Sequence, residues 1–314
     1  MSEVVVSRLE NIIIFGASSF LGRSLREAFL NMGVTVYAVF RKSSNNHEVK
    51  FNDTEHHIFF EGDSTSLSGL KILSKDKTVV INCCGATGLP DEVGNLASIL
   101  EANMGMTAKI LQFMAEFNFK KLIITESYWQ FDEFGSESGN TLYAVAKNMQ
   151  SLLVKYFAGK HAVDAAGLVL YDVYGETDSR PKMLNNLAQS IALNKNVDLT
   201  SGNQFIDFIH ISDVVEAYKS TAKYLVDPKL SINSFFTRFY VRTNEPLVTL
   251  KSKISETLSV LGYEAKLTWS ARDFPDHQIY RPFWPNHPDV FVPNWHSKVL
   301  FHRGLKRLIN KYEK

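Results

Sequence analysis

Only two cysteines occur in 314 residues, and they are neighbours, Cys83-Cys84. Adjacent positions are a poor arrangement for a structural disulfide and give no zinc spacing, so a disulfide scaffold and a cysteine metal site are both excluded. Such scarcity suits a reducing cytoplasm. The nine histidines are scattered without a His-x-x-x-His set, so no metal is expected; His56-His57, beside Glu55, reads as a solvated turn before a strand. Long apolar runs are missing too. No stretch reaches the length of a membrane span, and Met1-Ser2-Glu3-Val4 does not open a basic-then-apolar leader. The expectation is a soluble, unprocessed chain with no membrane partner. Nor does one sign of charge dominate: 34 Lys and Arg against 33 Asp and Glu leave a net charge of +1, no footprint for nucleic acid. Low-complexity tracts and solenoid repeats are absent from the sequence.

What is present is a chain with 45% hydrophobic residues, enough to fill one large α/β domain or two modest ones. Asn11-Ile12-Ile13-Ile14-Phe15 is a short β-branched run, and Gly16-Ala17-Ser18-Ser19-Phe20-Leu21-Gly22 leads from it into a helix over 23–32. Strand, glycine turn and helix form the context of a dinucleotide fingerprint. Gly16 allows the turn, the amides of Ser18, Ser19, Phe20 and Leu21 face a pyrophosphate at the helix start, and Gly22 lets the helix close on the sheet. Ser19 stands where the pattern has its second glycine; a plain βα turn is the alternative.

A second strand, 34–40, ends in Arg41-Lys42, cations that attract a 2′-phosphate where an acid would hold a ribose hydroxyl. NADP(H) is therefore favoured over NAD, with a solvated basic loop as the other reading. Strand signals at Ile58-Phe59-Phe60 precede Gly62-Asp63, and a helix with Leu67, Leu70 and Leu73 follows. Asp63 either accepts from an adenine amino group or caps that helix. The fourth strand, 79–82, runs through the cysteines into Gly85, whose small size lets a cofactor approach the backbone. A long helix is expected over 93–117, with Asn103 as an inward hydrogen-bonding group.

The fifth strand, Lys121-Leu122-Ile123-Ile124, delivers Thr125-Glu126-Ser127 to the carboxyl edge of the sheet, where ligands bind in open α/β folds. Tyr143 and Lys147 follow, four residues apart and so on one helix face. A fixed cation near a phenol lowers its pKa from about 10, which readies the tyrosine for proton exchange with an alcohol or ketone. Beyond lie a strand at 167–171, the turn Tyr174-Gly175, a helix over 183–193, and the segment Phe205-Ile206-Asp207-Phe208-Ile209-His210 entering a capped helix. The remaining chain has a strand at 239–242, a helix at 251–261, a strand near 266–269 and a basic helix at 304–314, a composition suited to a lid over a pocket. The fold class is thus α/β. The Rossmann-type doubly wound parallel sheet takes residues 1–175 plus about 205–225, and a smaller C-terminal substrate-binding lobe takes about 176–204 plus 226–314.

With these residues in place, the sequence resembles the extended short-chain dehydrogenase/reductase family, in its nucleotide-sugar epimerase/reductase branch. The likeness rests on the Gly16 to Gly22 turn, Gly62-Asp63, Ser127, Tyr143-x-x-x-Lys147, Tyr174-Gly175 and Asp207-Phe208-Ile209-His210-Ile211-Ser212-Asp213. It implies that Ser127 holds the substrate oxygen, Tyr143 exchanges the proton, and Lys147 binds the nicotinamide ribose while lowering the tyrosine pKa; Thr125 assists Ser127. Within the branch, residues 170–182 are similar to bacterial reductases that finish deoxysugars. Many epimerases have Asn at the place of Asp172 and a diphosphate-binding Arg at the place of Ile206. Arg180, Lys182 and Arg281 are the cations proposed for the nucleotide phosphates instead, with Asp172 at the substrate. The implied activity is NADPH-dependent reduction of a 4-keto group on a nucleotide-linked deoxyhexose. The alternatives are an NAD-dependent epimerase or dehydratase and a non-catalytic dinucleotide or sugar-nucleotide sensor on the same fold. The resemblance also implies a homodimer through the helices at 93–117 and 143–158, with a monomer as the alternative.

Overall fold

The structure, a computed structural model, describes residues 8–41, 54–60, 62–87, 93–228, 235–275 and 278–313. Alternating strands and helices build the first half: β1 (Asn11–Phe15), α1 (Phe20–Asn31), β2 (Thr35–Arg41), β3 (Glu55–Phe60), β4 (Thr78–Asn82), α2 (Leu96–Leu100), α3 (Met106–Phe117), β5 (Lys121–Ser127), α4 (Leu142–His161) and β6 (Asp164–Leu170). After them come β7 (Asp172–Tyr174), α5 (Met183–Ala192), β8 (Val197–Asp198), β9 (Phe205–Ile206), β10 (Phe208–His210) and α6 (Ile211–Val226). The chain closes with β11 (Phe236–Val241), β12 (Val248–Thr249), α7 (Leu250–Leu261), β13 (Leu267–Thr268) and α8 (Phe301–Asn310).

Seven strands form one sheet in the order β11-β6-β5-β4-β1-β2-β3, every pair parallel. This is the doubly wound α/β sheet read from the sequence. The order reverses direction between β1 and β4, and a crevice opens there beyond the strand ends. Both faces of the sheet are covered, which is why β1 and β4 are buried throughout and carry unbroken apolar centres, residues 12–15 and 79–81, instead of alternating. One face packs on α1 and α6 around Phe29, Val36, Ile123 and Val214; the other packs on α3 and α4 around Phe15, Phe113, Ile124 and Val154.

β11 lies within the segment that the sequence assigned to the smaller lobe, yet it pairs with β6 from Phe236↔Ala165 to Val241↔Leu170 and extends the main sheet. An extended apolar strand finds its hydrogen bonds on the open edge of β6, so the chain returns to the large domain before it finishes the lobe. The lobe has its own core of Leu184, Leu187, Ile254, Leu258, Phe301, Leu305 and Leu308, drawn from α5, α7 and α8. The basic last helix thus buries an apolar face.

Three local expectations are corrected. His56 and His57 belong to β3, where His56 stacks on Tyr37 at 4.8 Å and His57 meets Arg26 at 3.1 Å. Pairing with β2 supplies what a solvated turn would not. The stretch after Asp63 is 3₁₀ over Thr65–Ile72, and the helix expected at 93–117 starts at Leu96 and contains a π turn over Glu101–Gly105. No helix of the described residues is long and apolar enough to cross a membrane.

Candidate active site

The glycine turn is shaped by backbone contacts. Gly16 has φ +78, and a Cβ there would stand 2.9 Å from the Cys83 carbonyl carbon. A Cβ on Gly22 would run into the Gly16 carbonyl and come within 2.9 Å of Ala17 Cα. Ser19, the departure from the glycine pattern, caps α1 by accepting the Gly22 amide at 2.9 Å, so it adds helix stability where the missing glycine would give clearance.

Above this turn lies a cavity of about 760 Å³ lined by Gly16, Ser18, Ser19, Arg41, Cys84 and Gly85, and on its far side by Phe60, Gly62, Glu101 and Lys109. Phe20, Leu21 and Gly22 do not line it; Phe20 and Leu21 pack in the core around α1 and the beginning of that helix. Asp63 does not line it either; its carboxylate accepts the Thr65 amide at 3.0 Å. Lys42 lies outside the described residues. Asn103 is buried and donates to the Ala86 and Ile99 carbonyls at 2.9 Å, while its Oδ1 has no partner among the described residues. That oxygen sits 2.9 Å from where a Cβ on Gly85 would be. A narrow backbone cradle, an orphaned buried acceptor and a helix N-terminus fit a dinucleotide.

Ser127, Tyr143 and Lys147 are not among the residues that line the cavity; Lys147 adjoins it, with its ammonium 3.5 Å from where a Cβ on Gly85 would be. Ser127 is positioned from below: its amide donates to Gln130 Oε1 at 2.9 Å, and Gln130 is held by Asn148 and Ser151, both at 3.1 Å. Thr141 caps α4 by accepting the Ala144 amide at 3.0 Å, which fixes the start of the helix two residues before Tyr143. The Ser127 hydroxyl and the Arg180 guanidinium both lie near enough to the Tyr143 phenol to act on it. Burial pushes the phenol above its ordinary pKa, against the pull of those two groups. Lys147, the cation expected to act on the phenol, is engaged by other groups. Its ammonium, 2% exposed, donates to the Thr125 carbonyl at 2.9 Å and to Gln150 Oε1 at 2.9 Å instead. Burial lowers the Lys147 pKa from 10.5 to about 8, with Cys84 and Glu126 opposing. Below it a buried chain runs from Gln150 to Thr107 at 3.0 Å and from Asn82 to Thr107 at 2.9 Å, joining α4, α3 and β4.

The remaining residues divide. The Thr125 hydroxyl bonds the Asn82 carbonyl at 3.0 Å and the Tyr218 hydroxyl at 2.7 Å, so it ties β5 to α6 and is turned from the role of assisting Ser127. Asp172 accepts from the Tyr128 hydroxyl at 2.9 Å, and burial raises its pKa. Arg180 is clamped by the buried Asp178 through Nε at 2.8 Å and Nη2 at 2.7 Å, with its guanidinium 5.2 Å over the Phe20 ring. It therefore connects the lobe to the cofactor turn. Lys182 donates to the Val173 carbonyl at 3.4 Å. Arg281 is placed elsewhere, 4.3 Å over the ring of Phe205 on β9. The reading from sequence missed Gln150, Asp178 and Gln130, which hold Lys147, Arg180 and Ser127; each lies two or three residues from its partner, and Ser127-x-x-Gln130 is a capping box, so the signals were local.

The profile of the NAD dependent epimerase/dehydratase family matches residues 12–228. Over 307 residues, 96% of this chain and 98% of the relative, the chain is 27% identical to CDP-abequose synthase of Salmonella typhimurium. It is also 27% identical over 211 residues to CDP-abequose synthase of Yersinia pseudotuberculosis, covering 66% of this chain and 71% of that one. Among solved structures it is similar in fold to MoeE5 in complex with UDP-glucuronic acid and NAD, with TM-score 0.77, 17% identity, and coverage of 96% of this chain and 98% of that chain.

Proposed function

The chain belongs to the NAD dependent epimerase/dehydratase family, and from that premise we propose that it is an NADPH-dependent reductase. It converts the 4-keto group of a nucleotide-linked deoxyhexose to an alcohol, in the cytoplasm, as a step of bacterial deoxysugar and surface polysaccharide biosynthesis such as that of O-antigen lipopolysaccharide. The observation that carries the reading is the buried Tyr143 phenol, which burial pushes above its ordinary pKa and so keeps protonated, with Ser127 and Arg180 near it. A reductase needs a proton donor at this point, whereas an enzyme that first oxidises its substrate needs the phenolate. Similarity to CDP-abequose synthases supports the deoxysugar assignment, and Arg41 on the cavity wall supports NADP(H).

A bound NADPH supplies the hydride. The residues of the chain do the rest. Ser127 holds the ketone oxygen, and Tyr143 donates its proton to that oxygen as carbon 4 becomes tetrahedral. Lys147 holds the nicotinamide ribose, and Arg180 with Lys182 takes the substrate phosphates; Asp172 completes the substrate side. The NAD of MoeE5 favours a second reading on the same residues, an NAD-dependent epimerase or dehydratase.

A homodimer is part of the proposal. Val145, Met149, Leu152 and Tyr156 form an exposed apolar stripe along α4, and Leu152 and Tyr156 are 68% and 69% exposed.

The experiment is a panel of CDP-, dTDP- and GDP-linked 4-keto-deoxysugars with NADPH, followed by its absorbance and by product identification. The expected result is turnover by the wild type and its loss, by a factor of at least about 100, in Tyr143→Phe, with NADPH binding retained. Unchanged turnover in the variant overturns the assignment of Tyr143, and a purified protein that carries NAD and needs no added NADPH overturns the reductase.

A further inference from the structure

Glu101 and Lys109 form an ion pair of 2.6 Å although eight residues separate them in sequence. Eight residues span about 12 Å along a regular helix, twice the interval at which helical side chains ordinarily meet. Two features close that gap. The π turn over Glu101–Gly105 loosens the helix between them. Gly105, midway on the same face, leaves the room that the Glu101 carboxylate occupies: a Cβ at 105 would collide with Oε2 and stand 2.8 Å from Cδ. Lys109 then reaches back along the helix, the direction that helical side chains favour, and meets the carboxylate over the glycine.

Both residues line the cavity that Arg41 lines from the end of β2. The Lys109 ammonium lies 3.9 Å from where a Cβ on Gly62, just after β3, would be. With the pyrophosphate at the glycine turn after β1, the ends of β2 and β3 are where the adenosine half of a dinucleotide lies. The lysine and glutamate side chains are 37% and 57% exposed, and an ion pair so exposed contributes little to stability, so a better anion can exchange for the carboxylate.

We propose that Lys109 is a second phosphate-binding cation of the adenosine pocket, opposite Arg41, which Glu101 holds in place until the 2′-phosphate of NADP(H) takes it over. This rests on the NADP(H) reading above and assigns that preference to a residue outside the β2 loop.

The test is isothermal titration calorimetry of the full chain with four ligands: NADPH, NADH, adenosine 2′,5′-bisphosphate and 5′-AMP. In Lys109→Met, affinity for the two ligands with a 2′-phosphate should fall roughly tenfold, the worth of one charged hydrogen bond, and that for the other two by less than about twofold. Glu101→Gln and Gly105→Ala, which remove or displace the competing carboxylate, should both tighten the 2′-phosphate ligands. Equal losses for all four ligands in Lys109→Met, or no loss, overturn the proposal, as does a Glu101→Gln that changes only thermal stability. A wild type that prefers NADH to NADPH overturns the parent reading instead. The ratio of bisphosphate to 5′-AMP affinity in Lys109→Met against wild type then still decides for or against Lys109.

Discussion

A lysine inside a protein keeps its charge only if carbonyls and amides replace the water it has lost. Lys147 has the Thr125 carbonyl and Gln150 for this purpose, yet burial still lowers its pKa from 10.5 to about 8. The folded value lies below the ordinary one, so between pH 8 and 10.5 the unfolded chain binds the more protons. Stability attributable to this residue therefore rises with pH across that window. Urea unfolding of wild type and Lys147→Met at about pH 7 and about pH 10 should show the wild type gaining about 2 kcal/mol on the variant at the higher pH. A pH-independent difference between the two would mean that Lys147 titrates at its ordinary value. At Tyr143, spacing alone pointed to Lys147 as the tuning charge. The rotamer of that lysine, chosen by Gln150 and a strand carbonyl, leaves Ser127 and Arg180 as the groups that oppose burial. Nothing local in the sequence contains that choice.

At the scale of elements, the βα turn was legible because its constraints are local. Gly22 must be small since the Gly16 carbonyl and Ala17 Cα occupy the space of a side chain. Gly22→Ala should cost about 1–3 kcal/mol in thermal unfolding and weaken NADPH binding, because backbone atoms cannot yield as a side-chain tip does. The α4 stripe makes a different prediction. Sedimentation of the wild type at micromolar concentration should show a dimer, and Leu152→Glu with Tyr156→Glu a monomer. A monomeric wild type would end that part of the reading. The π turn at Glu101–Gly105 was not legible, since apolar periodicity over 93–117 suits an unbroken helix equally well. The 3₁₀ form of Thr65–Ile72 was missed for a similar reason: Leu67 and Leu70, three apart, suit either helix.

For the molecule as a whole, Glu126 and Arg238 join parts of the chain 112 residues apart. Both guanidinium nitrogens, Nε and Nη2, meet the fully buried carboxylate at 2.8 Å, and Gly167 of β6 makes room for it. Arg238→Met strands a buried charge next to Ser127, so it should cost about 3–5 kcal/mol in denaturant unfolding, and Glu126→Gln in the same chain should restore part of that loss. Equal stability of wild type and Arg238→Met would show the pair to be dispensable. The pairing also bears on how β11 joins the main sheet. β11 belongs to the large domain because its backbone completes the edge of β6 and its arginine neutralises β5, conditions set far away in the chain. Sequence by itself determined the alternation of strands and helices, the glycine turn, and the order of Ser127, Tyr143 and Lys147, because each depends on neighbours within one or two turns. Only the tertiary structure decided which carbonyl takes the lysine, which cation faces the tyrosine and which residues wall the cavity above the glycine turn. Those contacts join β4, β5, α3, α4 and the lobe, and a side chain adopts one of its rotamers only when all of its distant partners are in place.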